Sequence, residues 1–199
     1  TGCGIAGPCF GEVRERTIAK INEMAFETYI TPEYRILQAK AHEAVDYGMS
    51  ARGYISTVLA LQRLHKFDSI LDYGCGKGML KMLLHGHGGG DVAPLVTEYD
   101  PGVEDKSWSP RAADLLVCID VLEHIEPDKL EAVLNHMEGL ARKMAFLTVA
   151  LIPATKTLDD GRNAHLIVKP SWWWLDALTD HWKMTAFSGT DTGFLFMGV

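Results

Sequence analysis

A doubly wound α/β sheet, mostly parallel and finished by an antiparallel hairpin, is the fold class this sequence predicts. Three observations predict it. Short strand-like runs at 70–71, 95–99, 115–119 and 145–151 alternate with helical stretches, as strands do in a parallel sheet. The first run passes through Gly74, Gly76 and Gly78 into the apolar-rich segment 79–84. The chain closes with two strand-like runs, Lys183–Phe187 and Gly193–Val199, on either side of Gly189-Thr190-Asp191.

The elements follow in order. Residues 1–10 read as irregular. Val13, Ile18, Ile21, Met24 and Ala25 recur at helical spacing, which predicts a helix from Glu12 to about Tyr29. Thr31-Pro32 reads as a cap and first turn, opening a helix to about Val45. A third helix is predicted over Ile55–His65, feeding the first strand. His85–Asp91 is a glycine-rich turn whose two histidines read as solvated. Leu95–Tyr99 is the second strand, ending at Asp100-Pro101. Val103–Arg111 has little strand character, so the usual third strand is shortened. Leu115–Ile119 is a continuous apolar run, as a buried parallel strand requires. A helix over Lys129–Lys143, a strand over Ala145–Leu151, a polar loop over Pro153–His165 and a helix from about Pro170 complete the pattern. Residues 1–66 thus form a helical cap and 67–199 the core of one compact unit.

Composition narrows the function. The 199 residues are 47% hydrophobic and 23% charged, with a formal charge of −7. That acidity argues against a dedicated nucleic-acid surface. No apolar run reaches the ~20 residues of a membrane span, and no charged-then-apolar leader opens the chain. Cys3, Cys9, Cys75 and Cys118 make no metal or disulfide spacing, so reduced thiols and a cytoplasmic location are expected.

The chemistry gathers at the strand ends. Glycine lets backbone approach a ligand closely, and helix-start N–H groups face that ligand. The spacing is G-x-G-x-G, which fits neither the NAD fingerprint nor the nucleotide-triphosphate loop. Asp100 lies 26 positions after Gly74, at the tip of the second strand, where a carboxylate accepts from both hydroxyls of a ribose. Asp72, Asp120 and the loop after 145–151 end at the same sheet edge, which is where ligands sit in such sheets.

Together these features resemble the class I S-adenosylmethionine-dependent methyltransferases. The resemblance spans about 69–199 and rests on Leu71–Gly78 (LDYGCGKG), on Tyr99-Asp100 within TEYDPG, and on Ala113–His124 (ADLLVCIDVLEH). A narrower likeness, carried by YDPG, DVLEHIEPD and DGRNAHLIVKPSWWW, is to uncharacterised methyltransferase-like proteins of phages and bacteria. The family resemblance implies a Rossmann-like methyltransferase fold with S-adenosylmethionine as cofactor. Gly74, Cys75, Gly76 and Gly78 would cradle its methionine part, with Asp72 bracing the loop. Tyr99 and Asp100 would hold the ribose, and the Cys118-Ile119-Asp120 backbone would pass the sulfonium. No family acid is identifiable for the adenine; Asp105, or Trp108 as a stacking ring, stands in for it.

Methyl transfer depends chiefly on orientation and excluded water, and a base is needed only where the acceptor must lose a proton. His124, flanked by Asp120 and Glu123, is the candidate catalytic group; the alternative is that Glu123-His124 merely shapes the loop. Arg162, Asn163 and His165 are the candidate substrate residues, with an Arg162 pair to Asp159 or Asp160 as the alternative. Asp120, Glu123, His124 and His165 suit a mixed-ligand metal. They loosely resemble the Glu-x-x-Glu-His pattern of small-RNA terminal methyltransferases. Asp120 replaces the first Glu and the later His pair is missing, so no metal is expected. Of Trp172–Trp174, at most two share a face of one helix. Arg52 and Tyr54 are placed near the cofactor carboxylate by position alone.

The expected activity is methyl transfer to a small-molecule or glycan-like acceptor. The alternatives are a protein that binds the cofactor without transfer, and an enzyme that cleaves it. A nucleic-acid methyltransferase is disfavoured by charge and by the lack of an Asn/Asp-Pro-Pro-Tyr/Phe motif at Asp120. The acceptor, the oligomeric state and the biological process are not legible.

Overall fold

The computed structural model describes residues 28–44 and 48–199. The expected helix over 12–29, apart from its last two residues, and Cys3 and Cys9 lie outside the described residues, as does Tyr47.

A six-stranded sheet runs in the order β2-β1-β3-β4-β6-β5. The strands are β1 (Ile70–Tyr73), β2 (Val96–Tyr99), β3 (Ala113–Ile119), β4 (Ala141–Ala150), β5 (Met184–Gly189) and β6 (Gly193–Gly198). The first four are parallel; β6 pairs antiparallel with both β4 and β5. β2 is therefore the edge on its side. Residues 103–112, where a further strand was expected to be short, carry only the 3-10 turn Glu104–Lys106.

Alternation of side chains along β3 builds two cores. Leu115 and Val117 face one side with Ile70, Val96 and Phe146. There they meet α2 (Ile55–His65) through Val58 and Leu59, and α3 (Met79–Gly86) through Leu80 and Leu84. Leu116 and Cys118 face the other side. They meet α4 (Leu130–Leu140) through Val133, Leu134 and Met137, and α5 (Ser171–Thr179) through Trp174 and Leu178. Both faces of β3 are sealed, as its unbroken apolar run requires. Each fully buried Leu or Val here contributes roughly 1.5–3 kcal/mol.

Two boundaries differ from the expected ones. α4 ends at Leu140, not Lys143, and β4 begins at once at Ala141. The cause is in the partners. Gly139 weakens the last helical turn, Ala141 pairs with Ala113 across the sheet, and Lys143 is drawn to Asp114 at 2.6 Å. The first described helix, α1 (Pro32–Ala41), stops short of Val45 because Glu43 and Ala44 donate to Lys40 and Ala41, three residues back. Its start is as expected, with the Thr31 hydroxyl accepting from Tyr34 N.

α1 is tied to the core at the active edge of the sheet. Thr31 donates to Glu126 from both its backbone N–H (2.8 Å) and its hydroxyl (2.7 Å). The Tyr34 hydroxyl donates to the His124 carbonyl at 2.6 Å. A small third core of Ile30, Tyr34, Leu158 and Ala164 joins α1 to the loop after β4.

Candidate functional site

The carboxyl ends of β1, β2 and β3 open into a cleft of about 1060 Å³, counted out into its open mouth. Its floor is the turn Asp72–Gly76, its side walls are Asp100–Gly102 and Ile119–Val121, and its roof is Tyr34 and Gln38 of α1 with His42 at the C-cap of that helix.

The glycine turn is fixed by β2. Tyr99 O accepts from Gly74 N (2.8 Å) and from Cys75 N (3.1 Å). Asp100 Oδ2 accepts from Gly76 N and Oδ1 from Gly102 N, both at 2.8 Å. Asp100 thus arrives at the cleft buried and oriented by two backbone donors. Gly74, Gly76 and Gly78 all take positive φ, and side chains of the protein itself occupy the space above them. A Cβ on Gly74 would meet Val121 at 2.5 Å, and one on Gly76 would meet His42 at 2.8 Å. One on Gly78 would meet Glu98 at 2.0 Å. Lys106 completes that underside, donating to Gly76 O at 3.0 Å and lying 3.5 Å from Glu98.

Burial governs the charges. Asp72 is pushed up to about 8 by burial, with the Glu98 and Asp100 carboxylates adding to it. The Cys75 thiol is also pushed well up by burial, so it is no nucleophile at neutral pH. His42 is lowered by burial against the pull of Asp100, whose Oδ2 lies 3.9 Å from His42 Nε2.

At the β3 end, Asp120 holds a left-handed backbone, φ +52°, a conformation costing of order 1–3 kcal/mol for a residue other than glycine. Thr148 of β4 fastens it. The Thr148 hydroxyl donates to Asp120 Oδ1 at 2.7 Å and lies 3.0 Å from Asp120 N, which also donates to Thr148 O at 3.1 Å. His124 follows, in the 3-10 turn Leu122–His124. Its Nδ1 lies 2.7 Å from Ala164 O; a carbonyl only accepts, so Nδ1 carries the proton and Nε2 is the basic nitrogen. Burial, with His165 beside it, pushes His124 down to about 4.

The sequence-predicted residues divide. Asp72, Gly74, Cys75, Gly76, Asp100, Ile119, Asp120 and His124 line the cleft. Gly78, Tyr99, Cys118 and Glu123 stand behind it. Gly78 admits Glu98, Tyr99 holds the turn by its carbonyl, and Cys118 is core. Glu123, wholly buried, accepts from Ala150 N at 2.9 Å and is pushed up to about 8 by burial and Asp120.

Arg162 realises its alternative reading, pairing with Asp160 at 2.7 Å. The Asn163 side chain turns into its own loop, bonding Ala154 N and O and His165 N. His165 does not line the cleft but crosses His124, ring centroids 4.8 Å apart. Asp105 and Trp108 bond one another outside the cleft, with Trp108 73% exposed, and neither Arg52 nor Tyr54 lines it. Trp174 is core, whereas Trp172 is exposed.

Sequence reasoning missed Tyr34, Gln38 and His42 as individual wall residues, although helices ahead of the glycine turn were expected to cover the pocket. It also missed Thr148, which carries no local signal: it is one polar residue inside an apolar strand.

No protein-family profile matches the chain, and no curated protein is similar to it in sequence. Solved structures are similar in shape. An O-methyltransferase family protein from Burkholderia thailandensis has a TM-score of 0.53 and 14% identity; the match covers 74% of this chain and 55% of that one. This chain therefore spans about half the length of that protein. The PH0226 protein from Pyrococcus horikoshii OT3 has a TM-score of 0.51 and 15% identity, over 79% of this chain and 92% of that one. DhpI, solved in complex with SAH, has a TM-score of 0.50 and 18% identity, over 86% and 94%. With the strand order and the closing hairpin, these likenesses show that the chain has the class I methyltransferase fold.

Proposed function

We propose that this protein transfers a methyl group from S-adenosylmethionine to a small-molecule or glycan-like acceptor. The observation that carries the reading is Asp100. Its carboxylate is buried at the tip of β2, held by Gly76 N and Gly102 N, and it lines the cleft, where a ribose needs a double acceptor. Gly74–Gly76 would support the methionine end, and Gln38 of α1 and His42 at its C-cap would close over the nucleoside.

The cofactor supplies an activated methyl group on a sulfonium. This chain's residues supply position and exclude water. Asp120 and His124 are the polar groups at the acceptor end. Asp120 is fixed by Thr148, and His124, whose basic nitrogen is Nε2, would be the group that exchanges a proton with an acceptor hydroxyl or amine. Glu123 acts as a positioning residue, joining the 3-10 turn to Ala150 of β4. On this reading the segment before residue 67 is the cap that closes the site.

The test is turnover. The protein is incubated with methyl-labelled S-adenosylmethionine and a panel of phenols, amines, carboxylic acids and oligosaccharides, following label transfer and S-adenosylhomocysteine release together. Label in one acceptor class supports the reading. Release of methylthioadenosine without label transfer contradicts it.

A further inference from the structure

The two edges of the sheet are finished differently. β2 is four residues long and carries Glu98, which lies 3.5 Å from Lys106; a short, charged strand is a poor template for pairing. β5 is the opposite edge and pairs with β6 alone. Its six residues, Met184–Gly189, include no charge and no proline, and every one is exposed. An edge of that composition offers free backbone donors and acceptors to another strand.

The register identifies the free groups. In an antiparallel pair, residues that bond the neighbouring strand alternate with residues that point away from it. Thr190 N donates to Gly193 O at 2.8 Å, so Thr190 turns towards β6. Counting back, Ser188, opposite Leu195, and Ala186, opposite Met197, do the same. Phe187 and Gly189 therefore turn their N–H and C=O groups to the open edge. The one register shift, between Met184 and Ala186, lies ahead of them. The side chains lead to the same place. Cys118, Leu147 and Phe196 are register partners in a row across β3, β4 and β6, and all three are fully buried. Phe187 is the next member, opposite Phe196, and it is 40% exposed. The core row runs out to the edge and stops there uncovered.

We infer that β5 pairs with β5 of a second copy of this chain, antiparallel about a two-fold axis at Phe187. The occupant is a second copy because the edge is complementary to itself. Lys183 precedes the strand and Asp191 follows it, both exposed, and among the described residues neither has an ion-pair partner. Pairing about Phe187 brings Lys183 of each copy within reach of Asp191 of the other. Phe187 meets its own counterpart as a bonded pair, and the apolar row continues across the axis. A two-fold contact closes on itself, so the assembly ends at a dimer and does not grow into a fibre. The cleft, among β1, β2 and β3 on the other side of the sheet, stays open. The inference is independent of the methyl-transfer reading.

The full chain is followed by sedimentation equilibrium and light scattering, and the expected result is a reversible dimer. Phe187→Lys, which sets like charges at the axis, gives a monomer with unchanged circular dichroism. Lys183→Glu, which opposes two carboxylates at each end, weakens the dimer about tenfold. Lys183→Glu combined with Asp191→Lys restores it. If Phe187→Lys fails to fold, this exposed pair carries the test alone. Residue-resolved hydrogen exchange gives a second readout: the Gly189 amide is protected in the dimer and quickens in Phe187→Lys, while the Ser188 amide stays slow in both. A monomer at the highest soluble concentration overturns the proposal, even one with a protected Gly189 amide, which would assign the edge to another segment of the same chain. So does a dimer indifferent to both Phe187→Lys and Lys183→Glu, or a weakening by Lys183→Glu that Asp191→Lys does not restore.

Discussion

Thr148 and Asp120 link the sheet to the cleft. One buried hydroxyl, near the C-terminal end of β4, donates to the Asp120 carboxyl at 2.7 Å and sits 3.0 Å from its N–H. This pair holds a left-handed backbone at the end of β3. Thr148→Val keeps the shape and removes the hydroxyl, leaving Asp120 with an unmatched strain. A loss of about 1–3 kcal/mol is expected in chemical denaturation, with Thr148→Ser near wild type. Asp120→Asn should fold, because Asn tolerates this backbone, whereas the β-branched Asp120→Val should be the most damaged.

Asp72 makes stability depend on pH. Its carboxyl is held up near 8, against an ordinary 3.8. Below 3.8 folded and unfolded chains are both protonated here and nothing depends on pH. Between 3.8 and about 8 the unfolded chain has released a proton that the folded chain keeps. Its contribution to stability therefore falls as pH rises, by up to about 1.4 kcal/mol per unit, and the fall is complete above 8. Urea denaturation at pH 6, 7.5 and 9 should show this decline in wild type and a flatter profile in Asp72→Asn. Equal slopes in the two proteins would contradict the assignment.

The roof is fastened by Glu126. Its carboxylate takes both the N–H and the hydroxyl of Thr31, at the start of the helix that brings Gln38 and His42 over the cleft. Glu126→Ala should loosen α1 by about 1–2 kcal/mol, or five- to thirty-fold in opening. Amide hydrogen exchange should quicken across 31–41 and stay unchanged in β3. Uniform quickening would mean that the contact supports global stability instead.

What the sequence discloses is what local chemistry sets. β1, the glycine turn and α3 are one continuous stretch, so apolar runs and three glycines suffice to place them. Asp100 and Asp120 follow from strand ends alone. What fills the space over the glycines was not legible, because Val121, His42 and Glu98 come from other elements. For the same reason Glu123 looked like an active-site acid, although Ala150 and burial place it behind the cleft. Arg162 was undecided between ligand and neighbour, and a carboxylate two residues away took it. The crossing of His124 with His165 depends on how the loop after β4 folds back over the end of β3, which no spacing rule encodes.

The central claim is that the cleft between the glycine turn and Asp100 takes the cofactor of this fold. Calorimetry with S-adenosylmethionine and S-adenosylhomocysteine, on wild type, Asp100→Ala and Asp100→Asn, tests it most directly. The account predicts saturable one-to-one binding to wild type, weakened at least tenfold by both substitutions. Asp100→Asn, which keeps one oxygen to accept a backbone N–H, should retain the fold by circular dichroism. Absence of binding to wild type, or binding indifferent to Asp100, would contradict the claim.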